Sequence, residues 1–87
     1  MNEKFYNSMS ESEQLATVKQ DGYAIQYIEN QNEAVQLAAV NKNGKAIRFI
    51  ENPSEVVQLA AVNKNSCAIY CIKNPTISVQ MMAKLLS

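Results

Sequence analysis

Gln36-Leu37-Ala38-Ala39-Val40-Asn41-Lys42-Asn43-Gly44-Lys45-Ala46-Ile47 returns 22 residues later as Gln58-Leu59-Ala60-Ala61-Val62-Asn63-Lys64-Asn65-Ser66-Cys67-Ala68-Ile69. A more diverged copy precedes both, running Gln14-Leu15-Ala16-Thr17-Val18-Lys19-Gln20-Asp21-Gly22-Tyr23-Ala24-Ile25. A fixed period without insertions marks structural units that stack, each burying its apolar face on the next. The spacing predicts an all-α fold, a short α-solenoid of stacked helix pairs with about 3.5 repeats of 22 residues, each a long helix A and a short helix B. Residues 1–87 then form a single domain. It comprises a remnant N-terminal cap at 1–7, repeats at 8–29, 30–51 and 52–73, and a C-terminal half-repeat at 74–87.

Within the unit, Asn52-Pro53-Ser54-Glu55 reads as a helix start. Asn52 would be the N-cap, Pro53 the first helical residue, and Glu55 the acid that bonds back to the cap. Asn30-Gln31-Asn32-Glu33 and Asn74-Pro75-Thr76 repeat the signal, and one period before Asn30 stands Ser8-Met9-Ser10-Glu11. From each cap the pattern predicts a helix A of about eleven residues, 53–64 in the central copy. Val56, Val57, Leu59, Ala60, Ala61 and Val62 make it apolar on more than one face, as suits a helix held between neighbours. The alanines at 38, 39, 60 and 61 permit close approach, and Lys42 and Lys64 suit the negative end of the helix dipole. Gly22 and Gly44 are expected to end helix A in the left-handed conformation, a role left to Asn65 or Ser66 in the third copy.

Helix B is expected at 23–29, 45–51 and 67–73, where Ala46, Ile47, Phe49 and Ile50 give a buried helical stripe. So short a segment cannot be stable alone, so packing must hold it, as α-helix or as a 3₁₀ turn. Phe5 and Tyr6, one period before Tyr27 and Ile28, are expected to form a remnant B helix over the first unit.

Eight basic and eight acidic side chains cancel. That balance argues against a chain built on phosphate contacts, which requires a basic excess, and equally against an acidic nucleic-acid mimic. A hydrophobic fraction of 47% suffices for a packed interior. The longest apolar run, 67–72, has six residues, far short of a bilayer span, and the first residues lack the apolar core of a secretory signal. No membrane association and cytoplasmic residence are therefore expected, and two cysteines without histidine fit a reducing compartment.

The run Leu-Ala-Ala-Val at 37–40 and 59–62, then Asn43-Gly44, then Ala-Ile-x-Phe/Tyr-Ile at 24–28 and 46–50, then Asn52-Pro53-Ser54-Glu55, resembles a short helical repeat family of uncharacterised function. Such repeats occur in bacterial, bacteriophage and large-virus proteins. The resemblance extends from Ser8 to about Leu86. It implies an α-solenoid-like fold and carries over no catalytic residues. It also implies a small protein of a phage or other mobile element that binds a host component, in the host cytoplasm.

The chain holds no histidine, no glycine-rich phosphate loop and no nucleophile beside a plausible base, so it is expected to be non-enzymatic, with no cofactor and no metal. Glu29, Glu33, Glu51 and Glu55 recur as helix caps or solvated termini. Cys67 and Cys71 have a spacing that can set two metal ligands side by side, but Cys71 stands where Tyr27 and Phe49 stand in other copies and is expected to act as a small hydrophobe. Gln14, Gln36, Gln58 and Gln80 form one row at a common helical phase, either a polar edge, a ladder along the stack, or a binding face. Gln36 and Gln58, with Tyr23 and Tyr70, make up the candidate partner surface, while Tyr27 and Phe49 are expected in the core. Lys42, Lys45, Arg48 and Lys64 are the candidate stripe for nucleic acid, although nearby Glu51 and Glu55 favour a merely solvated face.

Solenoid ends normally carry a polar cap. Here the last helix reads Ile77-Ser78-Val79-Gln80-Met81-Met82-Ala83-Lys84-Leu85-Leu86, with Leu85 and Leu86 replacing Asn63 and Lys64, and Met82 replacing Ala60. Met81, Met82, Leu85 and Leu86 are therefore the candidate interface for self-association or a partner, the alternative being a hydrophobic cap packed on its own chain. The sequence thus points to a protein–protein interaction module, homodimeric through its C-terminal helix. If phage-borne, it would inhibit a host or defence protein. Nucleic-acid binding along the basic stripe is the alternative.

Overall fold

Long and short helices alternate along the whole described chain. The structure, a computed structural model, describes residues 9–86. It contains α-helices α1 (Glu11–Gln20), α2 (Glu33–Lys42), α3 (Glu55–Lys64) and α4 (Ile77–Leu86), separated by 3₁₀ helices η1 (Gly22–Tyr27), η2 (Gly44–Phe49) and η3 (Ser66–Cys71). The fold is all-α, with no strand among the described residues. The short B segments are 3₁₀ turns: Ala24, Ala46 and Ala68 donate their N–H groups to the carbonyls of Asp21, Asn43 and Asn65, three residues back, at 3.0, 2.8 and 2.8 Å. Expected positions 5 and 6 of a remnant B helix lie outside the described residues.

Each α-helix packs on the next, and each 3₁₀ segment touches the α-helices on either side of it as well as the neighbouring 3₁₀ segment. The principal extents are 39 × 21 × 18 Å. Equivalent side chains occupy equivalent places. Val18, Val40 and Val62 are fully buried, as are Val35, Val57 and Val79 one turn from the helix starts. Leu15, Leu37 and Leu59 lie half-buried against the same core. Ile25 and Ile47 are buried, whereas Ile69 is only partly covered, because a single α-helix follows it rather than a full repeat. Removing such apolar surface from water is the main force holding the stack, since no 3₁₀ turn of six residues is stable alone.

The helix starts differ from the expected ones by two residues. The N-caps are Ser10, Asn32 and Ser54, whose side chains accept from the N–H groups of Glu13, Val35 and Val57 at 3.2, 2.9 and 3.3 Å. Thr76 Oγ1 accepts from the Val79 N–H at 3.2 Å in the same way. Asn52 is not the cap and Pro53 is not in the helix. Asn52 sits in the left-handed region, φ 55, a conformation asparagine tolerates better than most residues. An N-cap takes extended backbone, which this is not, so the helix does not begin at Asn52. The capping box is at Ser10 and Glu13, with the Ser10 N–H on Glu13 Oε1 at 2.8 Å.

Freed from capping, the first glutamates of the helices link repeats. Ser54 Oγ donates to Glu33 Oε2 and Thr76 Oγ1 to Glu55 Oε2, each at 2.9 Å. The glycines also serve another purpose than expected: neither has positive φ, and the α-helices end in extended residues Asp21, Asn43 and Asn65. A Cβ on Gly22 would run into the Ala39 carbonyl, and one on Gly44 would lie 2.6 Å from the Ala61 carbonyl. Glycine is needed here so that one repeat's 3₁₀ turn can seat against the backbone of the next repeat's helix.

Candidate interaction surface

The inter-repeat bonds establish which way each helix start faces. Glu33 and Glu55 point toward the following repeat, because they accept from its N-cap hydroxyl. Ile77 occupies the same position on α4, where Glu11, Glu33 and Glu55 stand in the earlier copies. Its face is therefore the one on which a following repeat would stack. No described residue covers it: Ile77 is 73% exposed, Met81 59% and Leu85 80%. These three residues lie four apart and so form one row along α4. Leu86, 45% exposed, lies about half a turn round the helix from Ile77 and so off this row.

Met82, in contrast, packs half-buried against the core, and Val79 and Ala83 are buried on the inward face. The structure therefore brings together Met81 and Leu85 of the four terminal candidates, sets Met82 and Leu86 off the row and adds Ile77. The signal for Ile77 was present in the sequence: an isoleucine stands in a column otherwise filled by glutamate. Large apolar residues that remain in contiguous contact with water mark a surface to be covered.

The glutamine row has a structural use. Gln14, Gln36, Gln58 and Gln80 each donate Nε2 to the carbonyl five residues earlier, of Met9, Gln31, Pro53 and Pro75, at 3.2, 3.1, 3.0 and 3.0 Å. Each amide latches the loop that leads into its own helix. Gln36 is half-buried and Gln58 buried, so neither presents a free amide as part of a partner surface. Tyr23 is also half-buried, its ring edge-on to Phe49 with centroids 6.2 Å apart. Tyr70 stands well out of the surface at 88% exposure. Tyr27, expected in the core, is largely exposed, whereas its counterpart Phe49 is shielded by the Tyr23 ring of the preceding repeat.

Lys42, Lys45, Arg48 and Lys64 are all exposed. Arg48 lies over the Phe49 ring, 5.4 Å from its centroid, which engages that guanidinium within its own chain. Cys67 is exposed and Cys71 half-buried against the core. Among the described residues no group of three or more cysteines or carboxylates could hold a metal ion, and no helix is long and apolar enough to cross a membrane. Comparison with family models, curated proteins and solved structures finds no match to this chain.

Proposed function

We propose that the protein is a non-enzymatic interaction module whose contact face is the row Ile77, Met81 and Leu85. The observation that carries this reading is an apolar row at the last described helix, with isoleucine in place of the glutamate that bonds to the next repeat and leucine in place of an asparagine that is exposed in the earlier copies. The occupant is a second copy of the chain. A two-fold axis across this row sets it against itself, apolar side chain on apolar side chain, in the commonest kind of symmetric assembly, a pairing distinct from the head-to-tail packing of successive helices inside the chain. Full burial of a side chain of this size contributes roughly 1.5–3 kcal/mol, enough in sum to offset a good part of the entropy of association.

Light scattering tests the reading. The native chain should show twice its 9.7 kDa mass, and Met81→Lys with Leu85→Lys should halve it without loss of helical circular dichroism. A 9.7 kDa mass for both forms removes the dimer. The helical-repeat resemblance extends the proposal: for a phage or mobile-element protein, the dimer would present its remaining surface, including Tyr70, to a host or defence protein and inhibit it.

A further inference from the structure

Successive repeats are stitched together differently, and the difference leaves a cleft. Between η1 and η2, Gln31 Nε2 donates to the Ile25 carbonyl at 3.0 Å and to the Phe49 carbonyl at 3.3 Å, while the Tyr23 ring packs against Phe49. One repeat further on, Pro53 stands in place of Gln31, Lys45 in place of Tyr23, and Cys71 in place of Phe49. The donor has gone and the aromatic pair has gone with it. Between η2 and η3 there is instead a cleft of about 510 Å³, lined among others by Ile47, Phe49, Pro53, Gln58 and Cys71.

Its chemistry is that of an acceptor site. Ile47 and Cys71 are the equivalents of Ile25 and Phe49, and no side chain at position 53 can supply the two hydrogen bonds that Gln31 gives. In the wall, Gln58 is buried with Nε2 committed to the Pro53 carbonyl, and its Oε1 accepts no hydrogen bond. This leaves the wall with acceptors and no facing amide donor, the reverse of the Gln31 arrangement. Arg48 and Lys73 line the cleft against a single Glu51, so a cation is the wrong donor, and carbonyl acceptors repel a carboxylate.

We propose that this cleft binds a primary carboxamide, the side chain of a glutamine or asparagine presented by a partner protein, donating to the Ile47 and Cys71 carbonyls as Gln31 donates to Ile25 and Phe49. The site rests on the reading of the chain as a binding module but is separate from the α4 face. The first repeat pair carries the bound form of the interaction within its own chain, so the ligand imitates an internal side chain.

Nuclear magnetic resonance titration of the native chain with N-acetyl-glutamine methylamide tests it. Saturable shifts should appear at the Arg48 and Ile72 amides, which follow the two acceptor carbonyls, and at the Gln58 carboxamide. The glutamate and arginine analogues of the probe should give no saturable shift there. Pro53→Gln, which restores the internal donor, should weaken binding at least about tenfold, and Cys71→Phe, which narrows the cleft, should do the same. Equal shifts from the glutamate or arginine probe, or undiminished binding in both variants, would overturn the proposal. So would the absence of any saturable shift in the native chain. None of these outcomes bears on the mass measurement, so the cleft and the dimer fail independently.

Discussion

The Gly22 N–H donates to Asn43 Oδ1 over 2.9 Å, tying the first 3₁₀ turn to the end of the next repeat's α-helix. Asp21 and Asn65 turn their side chains to their own segments, accepting from Tyr23 and Cys67, whereas Asn43 makes no such bond because Gly22 occupies it. The same glycine has a carbonyl of the neighbouring helix where a Cβ would go. Gly22→Ala and Gly44→Ala should each destabilise by about 1–3 kcal/mol, since the obstructing atom is backbone and cannot swing aside. Urea unfolding followed by circular dichroism measures this. A neutral or stabilising effect, as expected of a glycine with no close neighbour, would contradict the packing role.

The position of the caps makes a paired prediction. Ser54→Ala removes both a cap acceptor and the donor to Glu33, and should cost about 1 kcal/mol. Asn52→Gly exchanges one residue tolerant of positive φ for another and should leave stability unchanged within about 0.5 kcal/mol. The opposite order in chemical denaturation would place the cap at Asn52.

The glutamine latches are identical in bonding but not in burial. Gln58→Ala should cost about 1–3 kcal/mol, because it empties a buried side-chain site and strips the part-buried Pro53 carbonyl of its donor. Gln80→Ala, at an exposed site, should cost no more than about 0.5 kcal/mol. Comparing the two midpoints of urea unfolding checks the argument, and equal losses would show that burial is not what gives the latch its value.

Much of the stack is legible in the sequence because the period itself is physical: Val18, Val40 and Val62 are one place in space written three times. The helix starts were harder to read, because two columns repeat with the same spacing. Ser8, Asn30, Asn52 and Asn74 are as periodic as Ser10, Asn32, Ser54 and Thr76, and all are capping residue types. Residue type does not separate them, since Asn-Pro also suits an N-cap and first helical residue, and it is the positive φ of Asn52 that excludes the first column. The glycines are ambiguous in sequence for a related reason. Near a helix end, a left-handed turn and a close inter-repeat contact both demand glycine, and only coordinates tell them apart. The terminal face is legible in part, since Leu85 breaks a polar column. Ile77 belongs to it only once Glu33 and Glu55 are known to face the next repeat.

The most direct test of the terminal face is a methyl nuclear Overhauser experiment on a mixture of isotope-labelled and unlabelled protein, filtered for contacts between copies. Contacts among the Ile77, Met81 and Leu85 methyl groups of different copies are predicted, with the two α4 helices crossing on that row. A dimer whose intermolecular contacts arise from any other face, or a sample with no intermolecular contact at millimolar concentration, would contradict it.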